Sequence, residues 1–445
     1  MTAPAGLLTA AATHPGTAAP VPPIAAHSLL VFLLQVGVLL LFALLLGRLA
    51  ARCGLPAIVG ELGAGVLLGP TLFARLAPDA AGWLLPADPA QTHLLDAVGQ
   101  LAVLLLVGLT GIEMDLRMIR RRGATALRVS TAGLLVPLAL GIGLGFPLAR
   151  LLGIGAADRR MFVLFLGVAM CVSAIPVIAK TLMDMNLIHR DVGQLTLAAG
   201  MVDDTVGWLL LSVVSAMTVG GLTAGALGHA VGALLLVIVV AVLLGRPLVR
   251  HALRLCEGSD QRTVSTAAAL IVLAAAGTQA LGLEAVFGAY LCGMLIGSSG
   301  AFDRVRTASL RLVVLAVLAP VFFAPAGLRI DLRALAEPAV LAAALIVLAT
   351  AVLGKFAGAY IGARLSRLSR WEALALGAGM NARGVIEVIV AMVGLRLGIL
   401  DTRTYTIVVL VAVVTSVMAP PLLKAAMRRI DSTREEELRL AALQV

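Results

Sequence analysis

Long apolar runs alternate with short charged segments along almost the whole chain. A helix needs about 20 mostly apolar residues to cross the hydrocarbon core of a bilayer. Thirteen segments approach this length, although counts of twelve and fourteen remain compatible because the second and ninth segments are short. The predicted spans, called first to thirteenth below, are Ser28–Ala50, Leu55–Leu72, Leu94–Ile112, Ala126–Leu152, Met161–Met183, Val192–Met217, Leu227–Leu248, Thr263–Leu281, Leu283–Ser299, Leu310–Leu328, Leu335–Ile361, Trp371–Leu395 and Tyr405–Met427. The pattern therefore predicts an all-α polytopic membrane protein.

The composition agrees with a location in the lipid bilayer. Of the 445 residues, 60% are hydrophobic and 13% are charged, whereas a soluble chain carries roughly a quarter charged residues. This deficit excludes an ordinary soluble enzyme and a disordered protein. The net charge of +10 does not indicate nucleic-acid binding, because the arginines fall in the gaps between apolar runs. The four cysteines lie far apart without metal-ligand spacing, which gives no sign of a disulfide scaffold or zinc site.

The distribution of basic residues predicts the orientation in the membrane. If the N-terminus lies outside, the inward loops and the C-terminal tail carry 24 Lys and Arg residues and the outward loops carry 8. This excess on the cytoplasmic side follows the positive-inside rule. Residues 1–27 contain no Lys or Arg and are predicted to be a disordered tail, and residues 428–445 a short cytoplasmic tail. Only three of 34 basic residues are lysines, which is typical of GC-rich bacteria, so we expect a bacterial inner membrane.

Two neighbouring acids, Asp203 and Asp204, lie almost at the centre of the sixth span. A charge at mid-membrane costs about 3 kcal/mol or more, so such residues usually serve function. Adjacent helical residues point about 100° apart, so one carboxylate can bind a mobile ion while the other contacts another helix. Neighbouring carboxylates resist simultaneous ionisation, and a proton and a small monovalent cation would then compete for one site. Such competition is the minimum requirement of an antiporter; the alternative is a structural ion pair with Lys355.

Lys355 is the one lysine placed deep inside a span, the eleventh. A buried lysine can lose its proton, whereas arginine stays charged, so lysine suits a titratable partner for an aspartate. The alternative is that its ammonium group snorkels to the cytoplasmic edge. Gly354, Gly358 and Gly362 repeat every four residues beside it. This stripe predicts close contact with another helix rather than with lipid.

Three further charged residues lie well inside predicted spans, away from the span ends. Arg383 and Glu387 are four residues apart in the twelfth span and can pair on one helical face, which suits a structural pair as well as a transport role. Glu61 lies in the second span on the same face as Ala57 and Gly65. We therefore expect Glu61 to face a packed interior.

Two spans are predicted to be interrupted at mid-membrane. The fifth span contains Ser173 and Pro176, and the proline removes a backbone donor and disfavours helix at the preceding residue. The twelfth span contains Asn381 and Gly384 within a glycine-rich stretch that permits unwinding. Unwound backbone at membrane depth persists only beside protein or a water-filled cavity.

The two interrupted spans are seven apart and therefore run in opposite directions. This relation predicts that residues 28–427 form one transmembrane domain of two inverted six-helix repeats, 28–219 and 263–427, with a linker helix at 227–248. In the thirteenth span, Thr415 and Ser416 occupy the position that matches the aspartates. Their hydroxyls are either weak ligands or packing groups, and we favour packing.

The motifs in these spans resemble the monovalent cation:proton antiporter-2 family of the cation/proton antiporter superfamily over about residues 28–427. The motifs that carry the resemblance are Pro56–Glu61 with Gly69 and Pro70, Ser173–Pro176, Asp203 and Asp204, Gly354 and Lys355, and Met380–Gly384 with Glu387. The resemblance implies a sodium/proton antiporter fold with crossing, discontinuous helices. It also implies a homodimer in which a core domain moves against a dimerisation domain.

The same resemblance implies roles for individual residues. Asp204 would be the main site for cation and proton, and Asp203 would pair with Lys355 when no cation is bound. A double aspartate resembles sodium/proton exchangers, whereas the motif of the twelfth span also resembles potassium-handling relatives, so Na⁺ is favoured and K⁺ stays open. The expected partners are the lipid bilayer, a second copy of the chain and the transported ions; no cofactor and no nucleic acid are expected.

Two other functions compete with antiport. A channel or uniporter would move cations without protons and would need a repeated filter motif, and the sequence contains none. An intramembrane aspartyl protease would need two carboxylates that face each other from two helices, whereas Asp203 and Asp204 diverge on one helix. We therefore expect a transporter and no enzyme.

Overall fold

The structure is a computed structural model that describes residues 24–86, 88–114, 116–156, 158–220, 224–256, 259–299 and 304–437. Within these ranges the regular elements are all helices. The predicted N-terminal tail lies mostly outside the described residues, and the first helix begins at Ala26. The predicted C-terminal tail is described as far as residue 437.

Every predicted span coincides with a helix or with consecutive helices. In chain order they are Ala26–Arg52; Ala57–Leu68; Pro89–Ile112; Leu116–Leu151; Arg159–Cys171 with Ile175–Asp184; Asp191–Gly220; Ala224–Val240, Ala241–Gly245 and Arg246–Arg254; Asp260–Ala280; Ala285–Ser298; Arg304–Val313, Val314–Leu318 and Ala319–Leu328; Pro338–Leu365; Arg370–Met380 with Val385–Arg396; and Thr402–Met427. Short helices at Phe73–Leu76, Pro78–Leu84 and Leu332–Ala336 lie in the connections. The ordinal names of the spans are kept for these units.

Not all of these units are long enough to cross the membrane as one helix. Among the described residues, ten helices are long and apolar enough to cross a membrane, and the twelfth span, bent by 46°, is an eleventh. The ninth span has 14 residues, and the fifth is divided into halves of 13 and 10 residues. The predicted all-α polytopic fold is confirmed, and the number thirteen holds only if short and broken helices are counted.

Side-chain caps fix where several spans begin at the ends of the bundle. Asp401 accepts a hydrogen bond from the Thr404 amide at 2.8 Å at the start of the thirteenth span. Ser369 and Glu372 form a reciprocal capping box at the start of the twelfth. Such caps satisfy amide groups that have no partner inside the helix. The polar residues between apolar runs therefore end one span and start the next.

The spans pack into two bundles. The fourth, fifth, sixth, eleventh, twelfth and thirteenth spans contact one another and are called the core bundle here. The first, second, third, eighth, ninth and tenth spans form the flanking bundle, and the seventh packs along the sixth. Each bundle draws three spans from each half of the chain. The inverted symmetry of the two halves stays a prediction.

The glycine stripe of the eleventh span makes a close helix contact within the core bundle. A Cβ atom added to Gly358 would lie 2.4 Å from the Ala132 carbonyl oxygen, and one added to Gly362 would lie 2.5 Å from the Arg128 carbonyl oxygen. The eleventh span therefore touches the backbone of the fourth span, as its small residues predict. This contact carries Lys355 into the interior of the core bundle.

The segment after the thirteenth span is attached to the core bundle. Glu436 is buried, its Oε2 lies 2.9 Å from Arg190 Nε, and its Oε1 accepts a hydrogen bond from the Asp191 amide at 2.6 Å. Asp191 is the first residue of the sixth span. A carboxylate at this end complements the positive end of the helix dipole. The tail thus caps the helix that carries Asp203 and Asp204.

Candidate ion-binding site at the crossing of two broken helices

The fifth span is interrupted just before its proline. Its first half ends at Cys171, and its second half begins at Ile175. Pro176 is therefore the second residue of a helix, where a missing amide hydrogen removes no hydrogen bond. The sequence located this interruption correctly.

The twelfth span is interrupted between Met380 and Val385, and the two breaks meet. The Ala174 amide donates a hydrogen bond to the Ala382 carbonyl at 3.1 Å. A Cβ atom added to Gly384 would lie 2.6 Å from Val177 Cγ2, so glycine permits this close approach. The two unwound segments therefore supply hydrogen-bond partners for some of each other's backbone groups. Backbone groups at membrane depth need such partners because no water or helix bond satisfies them.

Asp203 is completely buried and surrounded by donors. Its Oδ1 accepts a hydrogen bond from Ser130 Oγ at 2.5 Å, and its Oδ2 lies 3.0 Å from Ser173 Oγ and 2.6 Å from Lys355 Nζ. Ser173 Oγ is also 3.0 Å from the Met380 carbonyl oxygen, so it joins the two breaks. Both oxygens of Asp203 are thus engaged by the protein itself.

Lys355 lies at the centre of this network. Its side chain is fully buried, and Nζ also donates to the carbonyl oxygens of Gly133 at 3.0 Å and Cys171 at 2.6 Å. Its three ammonium protons are therefore all used. This placement rules out the alternative that Lys355 snorkels to the cytoplasmic edge.

Asp204 stands in a different environment although it is the next residue. It is fully buried, and neither carboxylate oxygen has a hydrogen-bond partner among the described residues. The backbone amide of Ile175 lies near the carboxylate. Ile175 begins the second half of the fifth span, so the positive end of that half-helix faces Asp204. The side chain of Asn381, in the other break, is likewise buried and unpartnered there.

Arg383 contacts the C-terminal end of the first half of the fifth span, where the helix dipole is negative. Its guanidinium group is fully buried and donates to the carbonyl oxygens of Met170 at 2.6 Å and Ala169 at 3.2 Å. These carbonyls belong to the last turn before the break and have no partner inside the helix. Arg383 also pairs with Glu387 at 3.2 Å, as its four-residue spacing predicts. The contacts favour the structural alternative for this pair.

The two hydroxyls of the thirteenth span are bonded to backbone. Ser416 Oγ contacts the carbonyl oxygen of Arg383 and also lies 2.8 Å from that of Ala412. Thr415 Oγ1 donates to the Val411 carbonyl at 2.8 Å. Both side chains are buried. Their position agrees with the favoured interpretation as packing groups, and Ser416 additionally holds the break of the twelfth span.

A cavity of about 500 Å³ leads from one side of the protein to the crossing. Ile175 and Val385, the first residues of the two second half-helices, lie at its inner end. Its outer part is lined by Pro56, Glu113 and Arg311, which the charge pattern places on the cytoplasmic side. The cavity lies between the core and flanking bundles and approaches the aspartates from that side.

Glu61 lines this cavity, and its side chain also lies close to Gly47 of the first span. The second span packs tightly through its glycines. A Cβ atom added to Gly60 would lie 2.1 Å from the Leu46 carbonyl oxygen, and one added to Gly65 would lie 2.0 Å from the Ala324 carbonyl oxygen. Gly65 lies on the same helical face as Glu61, so the partly buried Glu61 side chain borders a packed contact as well as the cavity.

The sequence did not identify Ser130 as part of the network. It lies in the fourth span, 73 positions before Asp203, among small and apolar residues that carry no distinguishing pattern. Only the spacing of the neighbouring Ala126 and Gly133 marks this helical face as one suited to close packing. The Tyr290 hydroxyl, 3.1 Å from Thr205 Oγ1, was also missed, since one tyrosine in an apolar span gives no functional signal.

Comparison with known proteins finds relatives over most of the chain. The profile described as "Sodium/hydrogen exchanger, transmembrane" matches residues 37–429. The Na⁺/H⁺ antiporter NhaS4 of Synechocystis is 31% identical over 403 residues, which cover 89% of this chain and 97% of that protein.

The chain spans about half the length of two eukaryotic relatives. Cation/H⁺ antiporter 19 of Arabidopsis thaliana is 28% identical, with 88% of this chain and 49% of that protein covered. K⁺/H⁺ antiporter 1 of Saccharomyces cerevisiae is 27% identical, with 88% and 46% covered.

The fold has a counterpart among solved structures. The sodium/proton antiporter MjNhaP1 from Methanocaldococcus jannaschii superimposes with a TM-score of 0.65, covering 93% of this chain and 99% of that one. The sequence identity is 17%, so this likeness concerns the fold. It confirms the predicted arrangement of an antiporter-type helical bundle.

Proposed function

This chain belongs to the sodium/hydrogen exchanger family, and we propose that in this cation/proton antiporter H⁺ and Na⁺ compete for a single site at Asp204. The predicted family resemblance is confirmed by the match over residues 37–429. That family consists of transporters rather than enzymes. K⁺ is the second candidate cation, because the K⁺/H⁺ antiporter 1 of Saccharomyces cerevisiae matches 88% of this chain.

The observation that carries the proposal is the contrast between the two neighbouring aspartates. Asp203 is held by Ser130, Ser173 and Lys355, whereas Asp204 has no hydrogen-bond partner among the described residues. A buried, unpaired carboxylate is unfavourable, and either a proton or a small cation relieves it. Since one occupant excludes the other, release of a proton is coupled to uptake of a cation. Asp204 therefore fits a shared site, and Asp203 fits a supporting one.

Asp203 and Lys355 supply a second titratable unit. We propose that the pair is closed when no cation is bound and that a cation arriving at Asp204 draws Asp203 toward itself. Lys355 then loses its partner and can release its proton, which an arginine would not do. If two protons move per Na⁺, one net charge crosses, and a membrane potential contributes about 2.3 kcal/mol per 100 mV to the exchange.

Access to Asp204 alternates between the two sides of the membrane in this proposal. The 500 Å³ cavity approaches the crossing from the side that the basic residues place in the cytoplasm. We propose that the core bundle moves against the flanking bundle of a homodimer. We further propose a bacterial inner membrane with the N-terminus outside, which the charge pattern supports. The transport cycle needs no cofactor.

The test is exchange by purified protein in proteoliposomes loaded with a pH-sensitive dye. Pulses of Na⁺ and of K⁺ are added in turn, and we expect a cation-driven pH change that Asp204→Asn abolishes. Asp79→Asn, the same substitution at an exposed position, should exchange normally. Undiminished exchange by Asp204→Asn would remove the site assignment, and cation flux without proton movement would favour a channel or uniporter.

A further inference from the structure

The half of the sixth span that follows Asp204 carries buried polar atoms without partners. Trp208 Nε1 and Ser212 Oγ are fully enclosed, and neither has a hydrogen-bond partner among the described residues. Buried polar groups are satisfied in the great majority of cases, so exceptions call for an explanation. Neither residue belongs to the site at the crossing. Both lie on the side of Asp204 that is opposite to the cavity.

These atoms lie on one face of the helix. Asp204, Trp208, Ser212 and Ser215 are separated by four, four and three residues, which places them within about 80° of one another around the axis. At about 1.5 Å per residue the row extends about 16 Å from Asp204. That length is about half of the 30 Å hydrocarbon core. The row therefore runs from mid-membrane to the surface that the charge pattern places outside.

An ion-pair cluster closes the far end of the row. Ser215 Oγ donates to Glu284 Oε1 at 2.6 Å, and Arg396 Nη2 lies 2.7 Å from Glu284 Oε2. Glu284 is 4% exposed and Arg396 is 42% exposed, so the cluster reaches from the interior to the surface. Glu284 belongs to the flanking bundle, whereas Ser215 and Arg396 belong to the core bundle. The cluster thus fastens one bundle to the other.

An aromatic contact closes the row near Asp204. The rings of Trp208 and Tyr290 are 6.3 Å apart, and the Tyr290 hydroxyl lies 3.1 Å from Thr205 Oγ1. Tyr290 is part of the ninth span and hence of the flanking bundle. Both closures are therefore formed between the two bundles, and relative motion of the bundles opens them together.

We infer that this face of the sixth span is the closed outer half of the ion pathway, with Trp208 and Ser212 as its lining and the Ser215–Glu284–Arg396 cluster as its outer gate. The inference rests on the proposed site at Asp204. When the gate opens, water and a hydrated monovalent cation reach the row. Trp208 Nε1 then donates to water, and Ser212 Oγ offers an oxygen ligand. The partners that both atoms lack in the closed arrangement are supplied in the open one.

Cysteine accessibility tests the pathway in working protein. Cys53, Cys171, Cys256 and Cys292 are first replaced; Cys171 contacts Lys355 through its backbone carbonyl, so that contact is kept. A positively charged, membrane-impermeant methanethiosulfonate is applied from outside during Na⁺-driven exchange in oriented vesicles. Ser212→Cys should be modified and its exchange blocked. Leu210→Cys, about 160° away on the same helix at similar depth, should remain unmodified.

The gate is tested in the same Ser212→Cys protein. Glu284→Gln should speed modification about tenfold, the factor expected when one hydrogen bond between charged groups is lost. Glu337→Gln, at an exposed glutamate on the same side, should leave the rate unchanged. Absence of modification at Ser212→Cys during exchange, equal modification at Leu210→Cys, or an unchanged rate in Glu284→Gln would each overturn the inference.

The two proposals fail separately. If Asp204→Asn still exchanges ions while Ser212→Cys is modified and Leu210→Cys is not, the pathway stands and the site assignment falls. Should Ser212→Cys not fold, Ser215→Cys, three residues nearer the outer end, replaces it as the labelled position. Modification there during exchange supports the pathway, and lack of modification contradicts it.

Discussion

The ammonium group of Lys355 lies 2.6 Å from Asp203 Oδ2, and both side chains are fully buried. Two carbonyl oxygens of other spans complete the ammonium group's contacts. Burying an ion pair carries a large desolvation cost, which good geometry and additional hydrogen bonds offset. The pair therefore holds the fourth, fifth, sixth and eleventh spans together at the depth where two helices are unwound.

Removing Lys355 should destabilise the protein strongly. Lys355→Ala leaves Asp203 as an uncompensated buried charge, and we expect a loss of about 3–5 kcal/mol. The measurement is thermal unfolding of the purified protein in detergent. Lys424→Ala, an exposed lysine of the thirteenth span, serves as the control. Equal unfolding temperatures for the two variants would contradict the stabilising role of the pair.

Removing the hydroxyl of Ser130 should have a smaller effect of the same sign. Ser130→Ala takes one donor from Asp203 and leaves the Lys355 contact, so we expect a loss of about 2 kcal/mol, as for one hydrogen bond to a charged group. The control is Ser298→Ala, where an exposed hydroxyl donates to a carbonyl of its own helix. A Ser130→Ala protein as stable as this control would show that the 2.5 Å contact contributes nothing.

The contact between the eleventh and fourth spans depends on glycine. A Cβ atom at Gly358 would lie 2.4 Å from a backbone oxygen, so Gly358→Ala must push the two helices apart, at a cost of about 1–3 kcal/mol. Gly277→Ala in the eighth span meets nothing within 4 Å. The second substitution should stabilise its helix by about 0.5–1 kcal/mol. Unfolding temperatures that shift in the same direction in both variants would argue against the close contact.

Asp331 lies in the connection between the tenth and eleventh spans and should make the stability of the protein depend on pH. Hydrogen bonds from Arg333 hold the pKa of the Asp331 carboxyl below its usual value. A lowered folded-state pKa means that the carboxylate stabilises the protein above its unfolded pKa of about 3.9, and that this contribution is lost as pH falls through the folded value. Because Arg333 is exposed and Asp331 is partly exposed to solvent, the contribution is expected to be small.

The matching variant is Asp331→Asn, which keeps an oxygen to cap the Arg333 amide. It should unfold at a slightly lower temperature than the parent near pH 7, and the difference should disappear well below about pH 4. High salt should reduce the difference at pH 7, since exposed charges are screened. A difference that grows on acidification has the wrong sign for this explanation.

Much of the site follows from the sequence because charges inside apolar spans are rare and costly. Asp203, Asp204 and Lys355 stand out for this reason, and so do the proline and glycine that interrupt two spans. The surroundings of a side chain are harder to predict. The sequence placed Glu61 inside the protein, but the cavity that it lines forms only where distant spans come together.

Partners with ordinary side chains or backbone atoms leave no trace in the sequence. The Ser130 hydroxyl and the carbonyl oxygens around Arg383 become part of the site only through the crossing of distant segments. The buried atoms of Trp208 and Ser212 are visible only once burial and hydrogen bonds are known. Sequence therefore identifies the ionisable centre, and the structure supplies its supports and its route.

The carboxylate of Glu436 gives the far end of the chain a mechanical connection to the ion-carrying helix. Any displacement of the sixth span during a cycle must either carry residues 428–437 along or break the polar contacts that Arg190 and Asp191 make with Glu436 and with the carbonyl oxygens of Ile430 and Asp431. An affinity tag or fusion partner placed soon after residue 437 would therefore be attached to the sixth span and would hinder its displacement. A tag placed before residue 24 would not act on that helix through this contact.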